Sequence, residues 1–61
     1  MKYKVLKTGY IGNVCYVEKD EILEETIFRT GTVIELIGNN RKYCTIKNIR
    51  TALKHKQIIK L

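Results

Sequence analysis

Alternation of apolar and polar positions dominates the chain. Lys2 to Lys7 sets Tyr3 and Val5 against lysines before Leu6, the period-two pattern of a half-buried strand. Val14 to Val17 is a compact apolar run that reads as a second strand, and Thr8-Gly9 and Gly12-Asn13 punctuate the connection to it. Thr32 to Ile37 and Arg41 to Lys47 are rich in β-branched and aromatic residues, with Gly38-Asn39-Asn40 between them. This predicts a β-hairpin, because Gly and Asn tolerate the positive φ of tight connections. Gln57 to Leu61 alternates again and predicts a closing strand. Asn48 to Leu53 predicts a single helical or 3₁₀ turn, capped by Thr51 or Asn48. A helix from Ile49 to Lys60 is the rival, but Ile58 and Ile59 fit its apolar stripe poorly. In the middle, Asp20 can N-cap a helix whose first turn holds Glu21, Glu24 and Glu25, whereas Thr26 to Arg29 reads as strand. One helical turn or an irregular crossover is expected over residues 20–28. These elements predict a core of Val5, Val14, Val17, Ile34, Leu36, Cys44, Ile46, Leu53 and Ile59.

Composition sharpens the fold class. The 61 residues include nine Ile, one Ala and neither Pro nor Trp, which favours strands over helices. A chain this short buries only about 60% of its unfolded surface. It has room for one domain, residues 1–61, with one core and one binding surface. Five short strands in such a chain are most economically arranged as a small closed or partly open antiparallel barrel, because closure removes exposed strand edges.

Charge is distributed unevenly. Residues 1–35 hold five basic side chains and all six acids, net −1, while residues 36–61 hold seven basic side chains and no acid, net +7. Such asymmetry suggests a footprint for a polyanion. On the second hairpin strand, alternation puts Arg41, Tyr43, Thr45 and Lys47 on one face and Lys42, Cys44 and Ile46 on the other. Cations flanking an aromatic suit phosphate contact with base stacking. The candidate nucleic-acid-binding residues are therefore Arg41, Lys42, Tyr43, Lys47, Arg50, Lys54 and Lys56, with Tyr10 as a further stacking residue. The acidic stretch Glu18, Asp20, Glu21, Glu24 and Glu25 is the alternative docking surface, for a protein partner.

Catalytic chemistry finds little support. The chain has no Ser and a single His, His55, in a Lys-rich segment. The glycines form no phosphate-cradling loop ahead of a helix. The acidic pairs read as a solvated face rather than a general acid–base or cation site. Cys15 and Cys44 lack the close spacing of metal ligands and are expected to be free thiols packed inside. No enzyme activity, cofactor, metal or small-molecule substrate is expected. The N-terminus lacks an apolar leader core, and no apolar run approaches membrane-spanning length. A cytoplasmic location without membrane association follows as the expectation.

Residues Arg29-Thr30-Gly31-Thr32-Val33-Ile34-Glu35-Leu36-Ile37, followed by Tyr43-Cys44-Thr45-Ile46-Lys47-Asn48-Ile49, resemble a KOW-type motif. That pattern has a basic residue and Gly, an apolar strand, a polar turn and a second strand running into a Lys-rich stretch. The resemblance implies a small SH3-like five-stranded barrel, here with at most one or two short helical turns. Members of the family occur in ribosomal proteins and transcription factors, where they contact RNA or other proteins. The Lys- and Ile-rich, Ala-poor composition also resembles that of small proteins encoded by phages or mobile elements, which often bind a host protein. Two functions are thus expected: binding RNA or DNA through the cationic C-terminal half, or binding and modulating a host protein.

Overall fold

The structure, a computed structural model, describes all 61 residues. Seven strands and one helix follow in the order β1 (Lys2–Val5), β2 (Gly9–Ile11), β3 (Cys15–Val17), β4 (Ile22–Thr30), β5 (Val33–Ile37), β6 (Arg41–Thr45), α1 (Ile46–Lys54) and β7 (Ile58–Lys60). Five strands form one antiparallel sheet in the order β6-β5-β4-β1-β7, and β2 pairs with β3 in a separate hairpin. The outermost strands β6 and β7 share no backbone pairing, so the sheet is open rather than a closed barrel. Helix α1 connects these two edges. No helix is long and apolar enough to cross a membrane.

Pleating decides which face is covered. Tyr3, Val5, Leu23, Ile34, Leu36, Cys44 and Ile58 point from the sheet into the core. There they meet Ile11, Cys15 and Val17 of the β2–β3 hairpin and Ile49 and Ala52 of α1, with Ile46 and Leu53 partly buried against them. The opposite face stays in water, as antiparallel sheets allow, and carries Lys2, Ile22, Glu24, Ile37, Arg41 and Tyr43 as exposed residues.

Residues 20–28 differ from the helical turn or crossover expected. Ile22–Thr30 is a nine-residue strand paired with β1 on one side and β5 on the other. A register shift between Glu25 and Arg29 interrupts the alternation, which is why the sequence pattern obscures the strand. Here the Thr26 hydroxyl donates to Glu35 at 2.8 Å and accepts from the Phe28 N–H at 3.1 Å. Asp20 caps no helix; it sits in the preceding turn at φ 73°.

The C-terminal segment also differs. The second hairpin strand ends at Thr45, two residues early, because the Thr45 side chain N-caps α1 by accepting the Asn48 N–H at 3.2 Å. The helix is longer than the single turn predicted and shorter than the rival extending to Lys60. It stops in a Schellman arrangement: the Gln57 N–H reaches Ala52 O at 2.9 Å and the Lys56 N–H reaches Leu53 O at 3.2 Å, with Lys56 at φ 59°. That turn sets the register of β7 so that Ile58, not Ile59, enters the core opposite Val5. Val14, also expected inside, is 81% exposed at the tip of the β2–β3 hairpin.

The GNN hairpin is present, with Ile37 opposite Arg41, but its glycine serves another purpose than a positive φ. A Cβ on Gly38 would sit 2.7 Å from Leu23 Cδ2 and against the Glu21 carboxylate. Glu21 is buried beneath this turn and pairs with Lys42 at 2.9 Å, their side chains 2% and 7% exposed. Glu21 also accepts the backbone N–H of Glu18 at 2.9 Å and of Asn39 at 2.7 Å. The Lys42 ammonium is shared with Asn40 Oδ1. Burial pushes the Glu21 carboxyl up, but the two amides and the ammonium outweigh it and hold it below the ordinary carboxylate range.

Removing one partner of a buried pair strands the other charge, so Lys42→Met should cost about 3–5 kcal/mol in chemical denaturation. The Glu21→Gln/Lys42→Met double variant should recover much of that loss, since no charge is left unpaired. A depressed folded-state pKa contributes stability above the unfolded value of about 4.3 and loses it as pH falls through the folded one. Glu21→Gln should therefore be less stable than the parent at neutral pH but less sensitive to acid below about pH 4.

Candidate nucleic-acid interface

The hairpin strand β6 splits the residues expected to act together. Arg41 and Tyr43 lie on the open sheet face. There Arg41 Nε pairs with Glu35 at 3.3 Å, and the Tyr43 ring meets Phe28 edge to face at 5.6 Å. Glu35 lies almost buried between them, and the Thr26 hydroxyl, with Tyr43 and Arg41, lowers its pKa. Lys42 points the other way and is consumed by the Glu21 pair, so it is corrected from surface cation to core residue. Tyr10 is on the outer face of the β2–β3 hairpin, edge to face with Tyr16 at 5.4 Å.

The remaining cations belong to α1 and its C-terminus. Lys47 is on the helix rather than on β6, and Lys47, Arg50 and Lys54 are spaced i, i+3, i+7, so they share one exposed stripe. The opposite stripe, Ile46, Ile49, Ala52 and Leu53, anchors the helix in the core. Asn48 rests its amide on Gly12, where φ is 68° and a Cβ would lie 2.9 Å from Asn48 Cγ, so this close approach depends on glycine. Lys56 is exposed at the helix end, apart from the stripe by virtue of the Schellman turn.

Three adjoining depressions run around the N-terminal half of α1. One beside β6 is lined by Val14, Tyr43, Cys44, Thr45 and Asn48 among others. It shares Thr45 with a polar hollow formed by Thr32, Ile46, Lys47, Arg50 and Thr51. That hollow shares Ile46 and Arg50 with a cleft of about 300 Å³ between α1 and the inner face of the sheet, where Arg29 and Lys60 join the rim. The result is one continuous band carrying Lys47, Arg50, Arg29 and Lys60, with Glu25 as its single acid. Sequence reading missed Arg29 and Lys60. They come from β4 and β7, strands that flank β1 on opposite sides, and only the sheet order brings them to the helix.

The acidic stretch does not form one docking patch. Glu21 is buried, Asp20 lies 3.9 Å from Lys4, Glu18 accepts from the Asn39 amide, Glu24 is on the open sheet face and Glu25 is in the cleft. Strand alternation and the turn before β4 scatter what is contiguous in the chain. Cys15 and Cys44 are both free and buried in the core, while His55 is exposed at the C-cap of α1. The facing Cys15 thiol, with burial, pushes the Cys44 thiol far up. No family model, curated protein or solved structure matches the chain.

Hydrogen bonding to Cys44 draws the Cys15 thiol down while Cys44 is pushed up, but both sulfurs are buried in the core, out of reach of a reagent in solution. Iodoacetamide should therefore leave Cys15 and Cys44 unmodified in the native protein and alkylate both after denaturation without reductant, as read by mass spectrometry. Rapid native labelling would place a thiol at the surface, and an unlabelled denatured pair would reveal a disulfide.

Proposed function

We propose that the protein is a small nucleic-acid-binding module that grips the phosphates of RNA or DNA along the band around α1. The observation that carries this reading is the convergence of Lys47, Arg50, Arg29 and Lys60 from three elements onto one continuous surface with a single carboxylate. Three cations elsewhere are held in ion pairs: Lys42 with Glu21, Arg41 with Glu35, and Lys4 with Asp20. Of the nine Lys and Arg residues outside an ion pair, four, Lys47, Arg50, Arg29 and Lys60, line the concave surface, while Lys2, Lys7, Lys19, Lys54 and Lys56 lie outside it. A strand of nucleic acid following this path passes the Thr32 and Thr45 hydroxyls, whose O–H groups are free to donate to phosphate, whereas that of Thr51 is given to Lys47 O.

The finer fold reading is an SH3-like barrel of KOW type, acting in the cytoplasm. The meander β4-β5-β6, the flanking strands β1 and β7, and a helix covering the gap between the two sheet edges support it. A second reading, a module that binds a host protein, draws on the open sheet face. Ile22, Phe28, Ile37 and Tyr43 are each about half exposed there, next to Lys2 and Glu24. Aromatic and aliphatic residues on a rigid sheet are suitable anchors for a protein partner.

Salt titration separates the two. Four phosphate contacts give a slope of log K against log salt of about −3 for a single strand, at roughly −0.7 per contact. Fluorescence anisotropy with short DNA and RNA oligomers should give that slope, and Lys47→Ala or Arg50→Ala should weaken binding to all sequences alike and reduce the slope by about one contact. Tyr43→Ala should leave the slope unchanged. Absence of binding at low salt would hand the function to the open sheet face.

A further inference from the structure

The cleft at the far end of the band differs from the rest of it in having an apolar floor. Its volume of about 300 Å³ sits at the lower end of the range for small-molecule sites, about 300–1,000 Å³. Tyr3 and Ile34 of the sheet meet Ile49 and Leu53 of the helix at its base, and Met1 lies along one side. Around this apolar surface stand Arg29, Arg50 and Lys60, and between them the carboxylate of Glu25. No cation lies within ion-pair distance of Glu25, although three line the same cleft. The Tyr3 hydroxyl donates to Met1 Sδ at 3.0 Å, and its pKa rises first through burial and then through the nearby Glu25 carboxylate.

A purely phosphate-binding groove has no use for such a floor, and a carboxylate in it works against binding. Both features have a use if a base enters. An unstacked base brings an apolar face for the floor and N–H donors on its edge for an acceptor such as Glu25, a pairing that carboxylates make with the exocyclic amine of cytosine. The flanking phosphates then lie at the rim, within reach of Arg29, Arg50 and Lys60. The depression continues from there toward Lys47, so the chain has a path along the band on leaving the cleft.

We infer that this cleft is the seat for one unstacked base of a single strand, with Glu25 as the acceptor for its edge and Arg29, Arg50 and Lys60 as the clamp on its adjacent phosphates. This rests on the nucleic-acid reading above and makes it specific for single strands: a base held in a duplex presents neither its face nor its pairing edge.

The test compares three labelled ligands with the intact chain at pH 8 in low salt: an eight-nucleotide oligocytidylate, an abasic octamer with the same phosphates, and cytidine monophosphate. The expected result is about tenfold tighter binding of the oligocytidylate than of the abasic octamer, within the range for one base contact, with equal salt slopes for both. The mononucleotide should bind far more weakly than either octamer, because it engages one phosphate. In Glu25→Lys, the ratio between base-bearing and abasic octamers should fall toward one, while the abasic octamer binds more tightly than to the parent. Equal affinities of the parent for the two octamers would overturn the base seat and leave the phosphate-binding band standing. Mononucleotide binding as tight as the octamer's would overturn the assignment to a strand. If neither octamer binds even at low salt, the nucleic-acid reading fails and the seat with it. The parent-protein comparison requires no variant, so it decides the matter even if Glu25→Lys folds poorly.

Discussion

A carboxylate and an ammonium share the interior of this small protein, and much of its frame is arranged around them. Glu21 enters the chain at the turn before β4 and Lys42 near the start of β6, so their pairing ties a turn to a hairpin that is distant in sequence. The same carboxylate closes its own turn through the Glu18 N–H and secures the hairpin loop through the Asn39 N–H. Gly38 has to be glycine because the carboxylate occupies the space of a Cβ. A buried pair of this kind is not an efficient source of stability, since desolvation consumes much of the Coulomb attraction. It does penalise alternatives, because a slip that separates the two while they stay inside leaves both charges buried without partners. In a domain of this size, with total stability of roughly 3–5 kcal/mol, that penalty is comparable to the whole.

The pair also shapes the surface. By removing Lys42 from it, and with Glu35 engaging Arg41 on the open sheet face, the fold withdraws two of the cations nearest Tyr43 from free use. The unpaired cations that remain in a concave region belong to α1, β4 and β7. Helix placement is therefore what creates the band. Thr45 starts the helix, Asn48 seats it on Gly12, the Ile46–Ile49–Leu53 stripe buries one side, and the Schellman turn at Lys56 returns the chain to the sheet so that β7 can deliver Lys60 to the cleft.

What was legible in the sequence was local. Alternation around Gly38-Asn39-Asn40 gives the β5–β6 hairpin correctly, because its two strands are neighbours in the chain and the pleat fixes the faces. It even places Lys42 in line with Cys44, and a lysine in register with core residues signals burial. Identifying its partner needed Glu21, twenty-one positions earlier, and no local pattern links the two. The strand β4 was obscured twice: acids at Glu21, Glu24 and Glu25 imitate a helix N-terminus, and the register shift between Glu25 and Arg29 breaks the alternation. The onset of α1 was hidden because Thr45-Ile46-Lys47 continues the strand pattern, and only the capping hydrogen bond of Thr45 ends it. The choice between Ile58 and Ile59 depended on a left-handed lysine that composition does not announce. For the site, Lys47, Arg50 and Lys54 follow from helical spacing once the helix is known, whereas Arg29, Lys60 and the role of the cleft depend on sheet order alone.

We propose that the band around α1, rather than the open sheet face, is where the protein binds its ligand. Amide chemical-shift mapping on the isotope-labelled chain, titrated with an octanucleotide in low salt, tests it most directly. Binding along the band should give shifts clustered at Thr32, from Thr45 to Leu53, and at Arg29 and Lys60, with Lys2, Ile22, Ile37 and Arg41 unmoved. Shifts centred on those open-face residues, with α1 silent, would contradict it.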